Sequence, residues 1–140
     1  MANKYSVKDQ VEALNRHDAD AFAGFYAPNA VVYDPQHPEP LRGEAIRKDI
    51  ADFLAAFPDL KFTLKTAVES GNTIAFEGTG KGTHKGPMAG PTGEIPPTNQ
   101  PMEVRFAAFV SVNEQGQIAE ERRYFDMAGM MQQLGVIPAP

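Results

Sequence analysis

Residues 60–84, LKFTLKTAVESGNTIAFEGTGKGTH, decide how this chain folds. Leu60, Phe62 and Leu64 alternate with Lys61, Thr63 and Lys65, a period of two that gives a strand one apolar and one polar face. The turn SGN at 70–72 leads into TIAFEGTGKGTH, so a long hairpin is expected. Downstream, MEVRFAAFVSV (102–112) and IAEERRYFD (118–126), joined by the turn NEQGQ, extend the hairpin into a meander. Between the hairpin and residue 102, residues 85–101 carry five prolines and three glycines and are expected to form an irregular excursion.

Upstream the period is that of helices. Val7, Val11 and Leu14 share a face behind Ser6 as N-cap and Asp9 in the first turn. DADAFAGFYAP (18–28) predicts a short second helix carrying Phe22, Phe25 and Tyr26 and stopped by Pro28. A brief strand AVVYD (30–34) and the loop PQHPEP (35–40) follow. From Gly43 to Phe57, Ile46, Ile50, Phe53, Leu54 and Phe57 recur with helical spacing. The ending MAGMMQQLGVIP predicts a short helix with Gly135 at C′. Helices first and an antiparallel meander afterwards predict an α+β fold with the helices on one face of the sheet, in a single domain over residues 1–140.

Composition bounds the function. Of 140 residues, 42% are hydrophobic and 22% charged, as in ordinary globular chains. A net charge of −5 without a Lys/Arg cluster beyond ERR (121–123) argues against nucleic-acid binding. No cysteine means no disulfide, thiolate metal site or thiol nucleophile. The N-terminus lacks an apolar signal region, and no apolar run approaches the ~20 residues that span a bilayer, so a cytoplasmic protein without membrane partners is expected. No glycine-rich phosphate loop joins a strand to a helix.

Counting by twos along the last strand puts Ile118, Glu120, Arg122, Tyr124 and Asp126 on one face and Glu121, Arg123 and Phe125 on the other. Asp126, beside Tyr124 and facing a pocket, would resist ionisation and suit acid–base work; directly before a helix, it is equally an N-cap. His84 ends its strand behind Gly78, Gly80 and Gly82, a row that leaves room for a ligand or, alternatively, marks bulges. Tyr33 and Asp34 close the first strand as a candidate oxyanion donor and second carboxylate, or as ordinary turn entry. Arg105 stands in an apolar strand as a salt-bridge partner or substrate anchor. His37 lies in the proline-rich loop, and no histidine pair has a metal-like spacing, so no metal is expected.

The stretches GTHKG, GPTGEIPPT, VRFAAFVSV and AEERRYFDMAGMMQQLGVIP, with GFYAPNAVVYDP and LRGEAIRKDI, resemble the SnoaL-like polyketide cyclases of the nuclear-transport-factor-like superfamily. The resemblance implies a cone of curved antiparallel sheet with N-terminal helices packed on its concave face, usually as a homodimer. It implies an intramolecular aldol ring closure of a small apolar or aromatic carbonyl substrate, without cofactor or metal. Asp126 matches the acid/base position and His84 the substrate-holding histidine; Tyr33, Arg105, Tyr124 and His37 are the expected substrate contacts. Arg122 and Arg123 depart from the pattern, which has an aromatic residue or histidine after the glutamates. Epoxide hydrolysis, with Asp126 activating water and Arg105 and a second carboxylate assisting, and a non-catalytic small-molecule-binding module are the alternatives.

Overall fold

A computed structural model describes residues 4–90 and 92–138. Helices α1 (Val7–Asn15) and α2 (Ala19–Ala23) precede strand β1 (Tyr26–Tyr33), the short β2 (Leu41–Arg42) and helix α3 (Glu44–Ala56). The long strands β3 (Lys61–Ser70) and β4 (Thr73–Thr83) form the expected hairpin. A small hairpin, β5 (Met88–Gly90) and β6 (Gly93–Ile95), interrupts the run to β7 (Pro101–Val112), β8 (Ile118–Phe125) and α4 (Met127–Gln133). The main sheet is curved, with the order β2-β1-β8-β7-β4-β3. Helices from the N-terminal half lie over one of its faces and enclose a hollow against it.

The helix ends follow from their residues. Ser6 Oγ accepts from Asp9 N at 3.2 Å, and Asp18 Oδ1 accepts from Ala21 N at 3.0 Å, each satisfying an amide that the first turn leaves free. At the far end of α4, Gly135 sits at φ +77°. Its N–H donates to Gln132 O and that of Val136 to Met131 O, the paired bonds of a Schellman stop.

Three details differ from the sequence expectation. Phe25 and Tyr26 lie beyond α2, which ends at Ala23, and Pro28 falls inside β1 rather than ending a helix. The pairing of β1 with β8 shifts register between Tyr26 and Val31, so Pro28 occupies an irregular stretch where its missing N–H breaks no ladder. β1 also runs parallel to β8, which makes the sheet mixed. Within 85–101 the chain is partly ordered, because β5 and β6 pair and bury Met88 and Ile95.

Candidate active site

β8 carries the site. Along it Glu121 and Arg123 are buried while Arg122 and Tyr124 point outward. Counting by twos from buried Ile118 would turn Glu120, Arg122 and Asp126 inward. The β7 register skips one residue between the pairs Ser111–Glu120 and Val112–Ile118, and this bulge at Ala119 reverses the alternation. Ile118 and Glu121 are therefore both buried.

The Arg123 guanidinium gathers acids from three elements. Its Nη1 donates to Asp34 Oδ2 at 3.0 Å and to Asp49 Oδ2 at 2.9 Å, and its Nε lies 3.4 Å from Glu121 Oε2. Nη2 donates to Tyr26 Oη at 3.3 Å, and Tyr26 donates to Glu121 Oε1 in a short bond. Gln10 of α1 donates to the same phenol oxygen at 3.3 Å. Asp34 Oδ1 accepts from Gln36 N at 2.7 Å, and His37 Nε2 lies 2.6 Å from Asp49 Oδ1. Three carboxylates thus face one guanidinium and one imidazole, with almost no access to water.

Burial and charge set the ionisation of the group. Desolvation, reinforced by Glu121, holds the Tyr26 phenol well above its usual range, so it stays a donor. Burial pushes Asp49 upward, but the His37 hydrogen bond and the Arg123 charge outweigh it and leave the carboxyl below its ordinary value. The bond to Asp49 raises His37. For Arg123 burial works against the charge and is overcome by Glu121, Tyr26, Asp49 and Asp34, leaving the guanidinium more firmly protonated still.

This cluster forms the polar wall of an otherwise apolar hollow of about 120 Å³. Phe22, Phe53, Phe62, Phe76, Phe106 and Phe125 line it, together with aliphatic and methionine side chains. A second cleft of about 160 Å³, between α3 and β5, shares Gln36, Asp49 and Phe53 with the hollow. Gln36 donates across it to Ala89 O at 3.1 Å. Among the described residues no group of three or more His, Cys, Asp or Glu side chains is arranged to hold a metal ion.

The structure separates the expected site residues. Asp126 is exposed and caps α4, its Oδ1 accepting from Gly129 N at 2.8 Å. Tyr124 and Arg105 line with it an open groove of about 700 Å³ between β7, β8 and α4, which none of the Arg123 cluster borders. Tyr33 is 46% exposed, at an outer depression next to His37. His84 is fully buried outside the hollow, its ring 5.4 Å from that of Phe57. Its Nδ1 accepts from Thr98 N at 3.2 Å, its Nε2 has no hydrogen-bond partner among the described residues, and burial depresses its pKa. The glycine row beside it is occupied by protein: a Cβ at Gly78 would lie 2.5 Å from the Phe62 ring, and one at Gly82 3.1 Å from Phe57. Gly80 alone of the three borders the hollow.

Of the residues singled out in the sequence, His37 and Asp34 join the cluster. Asp49 was missed: in sequence it groups with Arg47, Lys48 and Asp52 off the apolar face of α3, yet it stands three residues after Ile46 and is carried to the helix's inner side. Glu121 and Arg123 were separable from Asp126 by alternation, but the bulge hid which set faces inward.

The sequence model of the SnoaL-like polyketide cyclase family matches residues 6–134. No curated protein matches the chain. Among solved structures, AclR from Streptomyces galilaeus, assigned as a hydroxylase, superimposes with a TM-score of 0.80 at 23% identity, covering 95% of this chain and 80% of its own. IdmH from Streptomyces antibioticus, assigned as a polyketide cyclase, gives 0.72 at 28% identity, with 92% and 95% covered. SalBIII, an epoxide hydrolase/cyclase-like enzyme of pyran ring formation in the polyether salinomycin, gives 0.71 at 17% identity, with 88% and 89% covered.

Proposed function

Because the chain belongs to the SnoaL-like polyketide cyclase family, we propose that it closes a ring in a small apolar, polyketide-like carbonyl substrate by proton transfer at the Arg123 cluster. The observation that carries this reading is the pair of carboxylates, Asp34 and Asp49, on one guanidinium nitrogen at the polar end of an apolar hollow. Asp34 is the acid/base: each of its oxygens accepts one protein hydrogen bond, and a carboxylate offers about four acceptor sites. Asp49, whose ionised form His37 and Arg123 favour, is the weaker base and the resting countercharge. Arg123 steadies the negative charge that moves onto the substrate oxygen, in surroundings where water does not screen it. Proton transfer suffices for such a ring closure, so the proposal calls for no cofactor.

Size constrains the pose. A dry cavity of roughly 150 Å³ takes a benzene, so the hollow holds about one ring of a substrate whose remainder extends past Gln36 and Phe53 into the second cleft. A homodimer belongs to the same proposal: Phe109 and Tyr124 stand edge-to-face and exposed on the outer sheet surface, and sedimentation should then give twice the 15.2 kDa chain mass.

The Asp34–Arg123–Asp49 arrangement also favours a second reading, opening of an epoxide by water or by a hydroxyl of the substrate, in a form of the site that carries one proton on the pair: the ionised carboxylate takes the nucleophile's proton and the protonated one gives its own to the epoxide oxygen. One experiment separates the readings. The protein is incubated in D₂O with a panel of 1,3-dicarbonyl compounds and hydroxy-epoxides and followed by NMR. Deuterium at the α-carbon with cyclised product supports ring closure through an enolate, whereas diols or cyclic ethers support epoxide opening. In either case Asp34→Asn should keep the fold and lose about 10²–10⁴ in rate. Ligand binding without turnover of either class would leave a non-catalytic binding module.

A further inference from the structure

His37 is the most exposed member of the cluster: its side chain is 25% accessible, against 10% for Asp49, 6% for Arg123, 5% for Asp34 and 2% for Glu121. Its Nε2 faces Asp49 Oδ1 at 2.6 Å. Its Nδ1 makes no hydrogen bond among the described residues and is not shut away from water. The ring thus has one nitrogen on the buried network and the other towards solvent. We infer that His37 is the proton port of the site, the group through which Asp49 exchanges protons with solvent and by whose charge the other buried carboxylates are governed. The inference rests on the proposed function only for what that exchange serves.

The transfer balances simply. Water protonates Nδ1 to give the imidazolium; the Nε2–H bond then breaks as Asp49 Oδ1–H forms, leaving a neutral imidazole and a neutral carboxyl. The reverse returns the proton. Asp49 is bonded through Oδ2 to Arg123, which also holds Asp34 and lies beside Glu121, so a change of charge at His37 is felt across the cluster. The groups around the ring are Asp34 and Glu39 of its own loop, Lys48, Asp49 and Asp52 of α3, and Arg122 and Arg123 of β8. β5 presents only Met88 and Ala89 to the cleft. Lys48 is paired with Asp52 and Arg122 with Glu120, so Asp49 is the acid bonded to the ring. The result is an imidazolium retained to higher pH than usual.

The test is an NMR titration of the full chain, labelled in its imidazole and carboxyl carbons, with a pH–rate profile on whichever panel compound is turned over. The carboxyl signals of Asp34 and Glu121 should share the inflection of the His37 ring, and that inflection should vanish in His37→Gln, whose amide still offers Asp49 a donor. In Asp49→Asn the His37 inflection should move to lower pH. Where turnover is measurable, the limb of the profile that follows His37 should be missing in His37→Gln. Buried carboxyl signals that ignore His37, or a rate profile unchanged in His37→Gln, overturn the inference. Shared inflections without turnover would leave the port standing and end the cyclase proposal; turnover without shared inflections would do the opposite. If Asp49→Asn does not fold, the His37→Gln comparison decides alone.

Discussion

At the scale of single residues the site depends on Arg123. Removing a partner from a buried ionic network leaves uncompensated charge and typically costs about 3–5 kcal/mol. Arg123→Met should therefore lower the unfolding free energy by about that amount in urea, and adding Asp34→Asn should recover part of it, because neighbours in one network do not act additively. Titration gives a second expectation. His37 is raised in the folded chain from its ordinary 6.5, so its stabilisation is complete below that pH and is lost as pH climbs through the raised value. Asp49 is lowered from 3.8, so its contribution holds above that pH and is lost as acid carries it through the lowered value. The stability difference between wild type and His37→Gln, measured by urea melts across pH, should be largest between about 4 and 6 and shrink towards alkaline pH. Asp34 and His37 were visible in the sequence as polar residues at a strand end and in a proline-rich loop. Arg123 was visible only as a departure from the family pattern, because its inward direction depends on a bulge that alternation cannot register.

At the scale of elements, α4 and the 85–101 excursion are each held in part by a polar side chain at one end. Asp126 accepts from the first turn of α4, and loss of such a cap costs about 1 kcal/mol. Asp126→Ala should show that loss in a thermal or urea melt with turnover retained, since Asp126 lies outside the hollow; Asp126→Asn should be neutral in both. His84 binds the return of the excursion, receiving Thr98 N–H on its ring while its backbone pairs with Gln100 and Asn99. In His84→Phe the amides of Thr98 and Asn99 should exchange with deuterium faster than in wild type, and unchanged exchange would refute the fastening role. α3 was legible from its apolar period, and β3 and β4 from their alternation. The glycines of β4 misled in one respect: the space they leave admits the rings of Phe62 and Phe57, and sequence spacing does not say which neighbour fills a gap.

At the scale of the molecule, the α+β class followed from helical periods upstream of a meander, whereas the parallel pairing of β1 with β8 did not. The two strands stand at opposite ends of the chain, and the direction of a pairing leaves no mark on either strand's alternation. That pairing brings the end of β1, and with it Asp34, beside Arg123, so the buried ionic cluster is a product of tertiary closure. At the opposite border of the sheet lies β3, which has β4 on one side only. There Asn15, at the end of α1, donates from Nδ2 to Phe62 O at 2.9 Å and accepts from Phe62 N at 2.8 Å, as an adjoining strand would. An unpaired border is a template for other chains. Asn15→Leu should consequently raise the propensity to aggregate, seen as faster growth of light scattering on gentle heating, because one amide side chain stands guard where the sheet would otherwise recruit a stranger.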